Sequence, residues 1–295
     1  MSRQFFPLSR RSFVGAGVSA AASIILPAAA WADATLDRIK STGIVRVGIA
    51  NEKPYGFVET DGKLAGAIPD VILAALTPHG AKEMKAEIVE FSALIPGINA
   101  DRFDIIGAGM YIRPARCEAV AFTNPVTRAG YGFVTLKGNP KGVKSVAGVV
   151  KHADAIVGTQ SGSAQVETLA KEGVPLDRTV LFSNATEALA GLTAGRVDVI
   201  YFPGLELGEL LKTANNAAVE RVEEFQQIVL PSGEQDFGYG AMGLRKADTD
   251  LKALLDQEIA AMLASGKLLE IVSKYGYGQD ELPTPADTAE RLCKA

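Results

Sequence analysis

β-Branched, apolar runs alternate with helix-like stretches along most of the chain. Ile44-Val45-Arg46-Val47-Gly48-Ile49 reads as a strand, and residues 67–77 as a helix closed near Pro78 and Gly80. A second strand is expected over residues 87–91, a short helix over 93–100, a third strand over 103–107 and another helix over 114–120. The pattern then restarts. A strand at 155–158 leads into the glycine turn Ser161-Gly162-Ser163 and a helix over 164–172. A strand at 179–182, a helix at 185–194 and a strand at 197–201 follow.

Such alternation predicts an α/β fold with largely parallel sheets flanked by helices, and the restart predicts two lobes rather than one long sheet. The extended segment Gly130-Tyr131-Gly132-Phe133-Val134-Thr135-Leu136 suits a hinge. A second crossing is expected at Phe237-Gly238-Tyr239-Gly240-Ala241-Met242-Gly243-Leu244, followed by amphipathic helices over 250–265 and 267–275. The expected division is residues 33–132 plus 238–295 for the first lobe and 133–237 for the second.

Residues 1–32 fall outside this pattern. They carry Arg3, Arg10 and Arg11, no acid, a small apolar run and a closing Ala30-Trp31-Ala32, which together read as a cleaved export signal. The string Ser9-Arg10-Arg11-Ser12-Phe13-Val14 resembles a twin-arginine signal, so export to the periplasm by that route is expected. Export would also put Cys117 and Cys293 where a disulfide persists; a bridge and two free thiols both remain open.

Composition narrows the function. With 47% hydrophobic and 22% charged residues in 295, the chain is globular rather than disordered. Thirty basic against 34 acidic residues, with no basic block past the N-terminus, argue against nucleic acid as a partner. Two cysteines and two widely spaced histidines make no zinc cage. No G-x-S-x-G elbow, H-E-x-x-H, P-loop or complete dinucleotide fingerprint occurs, so neither a metal nor a cofactor is expected.

The remaining candidates are of the binding kind. Ser161-Gly162-Ser163 opens a predicted helix, whose free N–H groups suit a carboxylate or form an ordinary N-cap. Arg116 follows a strand by a short turn, where it grips a carboxylate or lies on a helix surface. Tyr55, Phe91 and Tyr111 fall at strand ends, the place where open α/β sheets bind ligands, although core aromatics would look similar. Glu52 lies close to Tyr55 and on its own would rank as a surface charge.

In order and spacing, Leu94-Ile95-Pro96-Gly97, Arg102-Phe103-Asp104-Ile105-Ile106-Gly107-Ala108-Gly109-Met110, Arg113-Pro114-Ala115-Arg116 and Val120-Ala121-Phe122-Thr123-Asn124-Pro125 resemble the signature of the polar amino-acid family of periplasmic substrate-binding proteins, the receptors of ABC importers. Val157-Gly158-Thr159-Gln160-Ser161-Gly162-Ser163 and Gly195-Arg196-Val197-Asp198 resemble its second-lobe motifs. The resemblance covers the mature chain and implies a type II two-lobed fold with a two-crossing hinge, a monomer, and a permease as partner. It implies that Arg116 pairs with the ligand carboxylate, helped by backbone at Gly109 and by Gly162 and Ser163.

The acid that in this family holds an α-ammonium, five residues past Asp198, is replaced here by Pro203, preceded by Phe202. Tyr111 stands where a small hydroxyl residue is usual, and Gln160 where some relatives carry lysine. One arginine, several ring faces and one carboxylate resemble the ectoine/hydroxyectoine-binding branch, whose ligand is a cyclic amidinium carboxylate. That resemblance implies a cage of Tyr55, Phe91 and Tyr111 around the ring, Glu52 on a ring N–H, and Arg116 on the carboxylate. Arg113, where relatives carry threonine, places a second positive charge near the mouth. A polar amino acid or a betaine is the alternative ligand. A cyclic-carboxylate dehydratase, with Glu52 as general acid, is the reading from another class.

Overall fold

The computed structural model describes residues 34–294; the expected export signal lies outside them. The first sheet runs from Glu83–Ile88 through Ile44–Ile49, Ile105–Tyr111 and Gly238–Leu244 to Ala121–Phe122, with Thr127–Ala129 also paired to Gly238–Leu244. The first three of these strands are parallel, and Gly238–Leu244 is antiparallel to each of its neighbours. The second sheet repeats the plan with Thr179–Phe182, Val157–Gln160, Val199–Pro203, Tyr131–Leu136 and Val219–Arg221. Again three strands are parallel and the fourth, Tyr131–Leu136, is antiparallel. The fold is the two-lobed type II α/β architecture. The chain passes between the sheets at Gly130 and again in the segment before Gly238.

Helices bury both faces of each sheet. Ala67–Leu76, Thr249–Ser265 and Lys267–Val272 pack their apolar sides over Val45, Val47 and Ile49. Leu94, Ile98, Phe103 and Ile106 fill the other face of the first sheet. In the second lobe, Ala185–Thr193 and Gly204–Ala214 cover Val134, Ile200 and Phe202, while Val146, Val149 and Leu169 cover Phe133, Val157 and Tyr201.

Two aspartates of the sequence motifs tie the sheets together. Asp104 is fully buried and accepts the backbone N–H of Arg46 at 2.8 Å and its guanidinium at 2.7 Å, and it pairs with Arg38 as well. Asp198, at the matching place in the second lobe, accepts the backbone N–H of Ile156 at 2.8 Å. Each carboxylate therefore locks the start of one parallel strand to its neighbour.

Some element boundaries differ from those the sequence suggests. The strand expected at 87–91 is Glu83–Ile88, an edge strand in which Glu83, Lys85 and Glu87 alternate with Met84, Ala86 and Ile88, and Phe91 instead begins a 3₁₀ turn. The strand expected at 103–107 is Ile105–Tyr111, because Gly107, Ala108 and Gly109 continue it. Cys117 and Cys293 form a disulfide with Cα atoms 5.9 Å apart, which fastens the turn carrying Arg116 to the C-terminal helix Ala289–Leu292.

Asp104→Ala would strand the buried ends of the Arg38 and Arg46 side chains. Unfolding by urea should show a loss of about 3 kcal/mol, the low end for a broken buried pair because both guanidiniums reach solvent.

Candidate functional site

The site gathers at the carboxyl ends of the parallel strands of both lobes, where the edges of the two sheets face one another. Ile44–Ile49 runs out into the loop bearing Glu52 and Tyr55; Glu83–Ile88 delivers Phe91; Ile105–Tyr111 ends on Tyr111 and leads to Arg116. From the second lobe, Val157–Gln160 presents Gln160 and the turn to Ser163, and Val199–Pro203 presents Pro203. These residues line one cleft with an empty volume of about 320 Å³. Strand ends suit this role because their backbone is fixed while the loops that follow are free to carry polar groups.

Glycines make room for the rings. Gly109 has φ +61°, and a Cβ there would stand 2.7 Å from the Tyr55 ring. A Cβ on Gly238 would lie 2.0 Å from the ring of Tyr111, so the second crossing strand seats that tyrosine. Both rings are nearly fully buried, and neither hydroxyl has a hydrogen-bond partner of good geometry.

Arg116 bridges the lobes. Its Nη1 donates to the Tyr111 carbonyl at 2.7 Å and its Nη2 to the Gly162 carbonyl at 2.8 Å, while its Cζ lies 5.6 Å from the centre of the Phe91 ring. The remaining N–H groups of its fork are free of these bonds and suit a carboxylate. Burial, and then the charge of Arg113, pull this guanidinium down to about 10. Arg113 itself is drawn away from the cleft: it donates to the Tyr131 hydroxyl at 2.9 Å and stands 3.7 Å from Asp236. The positive charge anticipated at the mouth thus clasps the hinge side.

A second bridge joins Glu52 of the first lobe to the Gln160 amide of the second, which also donates to the Ser183 carbonyl at 3.0 Å. Burial raises the Glu52 carboxyl to about 7; the Gln160 bond opposes the shift and Glu90 adds to it. Ser163 turns its hydroxyl to the Gln160 carbonyl at 2.7 Å, which fixes the turn and leaves the N-terminal N–H groups of helix Ala164–Lys171 facing the cleft.

Of the ten residues singled out in the sequence, Glu52, Tyr55, Phe91, Gly109, Tyr111, Arg116, Gln160 and Ser163 line the cleft, and Gly162 meets it through its carbonyl. Phe202 does not. Side chains alternate along Val199–Pro203, so while Pro203 faces the cleft, Phe202 turns into the core beside Val134, Phe182 and Leu207. Sequence reasoning also passed over Glu206. It lies three residues beyond Pro203 in the first turn of helix Gly204–Ala214, and that spacing returns it to the cleft. The i, i+3 relation to Pro203 was the available signal.

The family model for bacterial extracellular solute-binding proteins, family 3, matches residues 45–279. A probable amino-acid ABC transporter periplasmic-binding protein of Sinorhizobium fredii is 28% identical over 281 residues, covering 94% of this chain and 92% of its own. The L-arginine-binding protein of Pseudomonas aeruginosa is 29% identical over 238 residues, 78% of this chain and 87% of that one. Among solved structures, EhuB in complex with hydroxyectoine aligns with a TM-score of 0.80 at 32% identity, covering 88% of this chain and 98% of that one. No described helix is long and apolar enough to cross a membrane.

Closing the lobes on an empty cleft desolvates Glu52, whose carboxyl then titrates near 7 instead of 4.5. A group raised by closure favours the closed form below its exposed value and loses that contribution as pH climbs through the raised one. Small-angle scattering of the ligand-free protein should therefore show a wider interlobe gap at pH 8 than at pH 5. A gap that stays constant or narrows contradicts the assignment of Glu52 to the closure surface.

Proposed function

Because this chain belongs to family 3 of the bacterial extracellular solute-binding proteins, as a solute-binding receptor of an ABC transporter for amino-acid-like ligands, we propose that its interlobe cleft takes ectoine or hydroxyectoine. The observation that carries this reading is the placement of three ring faces, Tyr55, Phe91 and Tyr111, in one small cleft with Arg116 and Glu52. Arg116 takes the solute's carboxylate through the N–H groups left over from its carbonyl bonds. The flat amidinium ring lies among the aromatic faces, each contributing roughly 0.5–2 kcal/mol once the cation is desolvated. Glu52 accepts a ring N–H. The alignment with EhuB, which holds hydroxyectoine, supports the choice of ligand.

The protein acts as a monomer outside the cytoplasm, exported by the twin-arginine route, and hands the solute to a membrane permease. Ligand binding favours the closed arrangement through contacts with both lobes, and closure changes the face offered to the permease.

A second reading, a basic amino acid, is favoured by one observation, the additional carboxylate of Glu206 in the cleft. The likeness to an L-arginine-binding protein points the same way. Calorimetric titration with ectoine, hydroxyectoine and a panel of amino acids decides between them. Tight binding of the two cyclic solutes is expected; tight binding of an α-amino acid with none of ectoine would overturn the proposal.

Two substitutions dissect the affinity. Arg116→Ala leaves the ligand carboxylate buried without its partner and should weaken ectoine a hundredfold or more, within the about 2–5 kcal/mol typical of such truncations. Tyr111→Thr removes one ring face and should cost about two- to thirtyfold, the range set by a single cation–π contact. Unchanged affinity in Tyr111→Thr would remove the cage from the account.

A further inference from the structure

Glu206 is 6% exposed, lines the same cleft as Glu52 and Arg116, and receives neither a hydrogen bond nor an ion pair from any described residue. The Tyr55 and Tyr111 hydroxyls are also buried, close to one another but without a hydrogen bond of good geometry. A buried carboxylate is stable only when something meets it, and the N-terminal turn of its own helix offsets a small part of that cost. A group in this condition, facing a cleft, marks a place where a ligand atom arrives.

We infer that Glu206 is the second lobe's contact with the ligand cation. Together with Glu52 of the first lobe it takes a planar cation bearing two N–H donors, an amidinium or a guanidinium, and the two carboxyls keep one proton between them whenever the ligand as a whole is neutral. The inference rests on the reading of the cleft as the ligand site and adds how the site balances its charge.

Arg116 supplies one positive charge and the two carboxylates supply two negative ones. Arg113 is matched by Asp236 at 3.7 Å and leaves this balance unchanged. A zwitterion adds nothing, so the closed, dry cleft would hold an uncompensated negative charge unless one carboxyl stays protonated. A ligand of net charge +1 would let both ionise. Burial first, and then the charge of Glu52, push the Glu206 carboxyl well above its ordinary range, while Glu52 rises to about 7. The other groups whose charge bears on the pair are Glu90 beside Glu52 and the buried tyrosines Tyr55, Tyr111 and Tyr277 beside Glu206. Arg221 donates to the Gly204 carbonyl at 3.1 Å at the start of the same helix. Lys53, Glu187 and Glu209 line the groove that continues outward from the pair. None of them bonds to either carboxylate, so the proton is shared by Glu52 and Glu206 as a unit.

The test is calorimetric titration of ectoine into the intact protein and into Glu206→Gln at pH 7 and pH 8, in phosphate and in Tris, whose different heats of ionisation reveal proton exchange. The unsubstituted protein should take up close to one proton per ectoine at pH 8 and lose affinity about tenfold from pH 7 to pH 8. Glu206→Gln should take up none, with an affinity that no longer depends on pH. Absence of proton exchange in the unsubstituted protein, or the same uptake in the variant, overturns the inference. The pair also has a readout without ligand: carbon-13 NMR of the Glu206 carboxyl, whose titration midpoint Glu52→Gln must lower by removing the neighbouring charge. If ectoine does not bind while that midpoint moves, the choice of ligand fails and the pair stands; an unmoved midpoint overturns the pair.

Discussion

A guanidinium and two carboxylates lie between two lobes that come together and exclude most of the water around them. Charges in that position interact strongly and tolerate little imbalance, so whatever enters must complete the set. The geometry follows from this constraint. Arg116 and Glu52 belong to the first lobe, Gln160, Gly162 and Glu206 to the second, and the bonds Arg116 to Gly162 and Glu52 to Gln160 cross the gap. Closure is therefore coupled to the electrostatics of the site: the contacts that join the lobes are made by groups that line the cleft.

The scaffold supplies this coupling by using one plan twice. In each lobe an aspartate, Asp104 or Asp198, pins the start of one parallel strand to its neighbour, and the far ends of those strands face the other lobe. Rigid strand starts leave the strand ends to carry chemistry. Tyr111 and Gly238 show how closely the crossing strand is fitted, since even a methyl group on Gly238 would displace the ring. The disulfide between Cys117 and Cys293 steadies the turn that holds Arg116 from the opposite side, through the C-terminal helix.

The lobes, most helices and the majority of the cleft were legible in the sequence, because alternation of apolar strands with helices survives on a single chain and because the motif residues sit at fixed distances from strand ends. What escaped had physical causes. Glu83–Ile88 is an edge strand in which every second residue is charged, so it lacks the continuous apolar run that marks the buried strands. Phe202 and Pro203 face opposite ways because strand side chains alternate, and the proximity of Phe202 to the expected acid position hid that it belongs to the core. Glu206 escaped for the complementary reason: the chain turns from strand to helix at Pro203, so the period changes from two to about three and a half between the residues that needed comparing. Charge balance in the cleft could be assessed only once Glu206 was in place, and it changes the reading from one acid facing a cation to two.

The most direct measurement is the crystal structure of the protein with ectoine bound. The account predicts the solute's carboxylate on the free N–H groups of Arg116, its ring against Phe91, Tyr55 and Tyr111, and its amidinium turned toward Glu52. A carboxylate held by other residues, or a ring lying outside the space between Arg116 and Glu52, would contradict it.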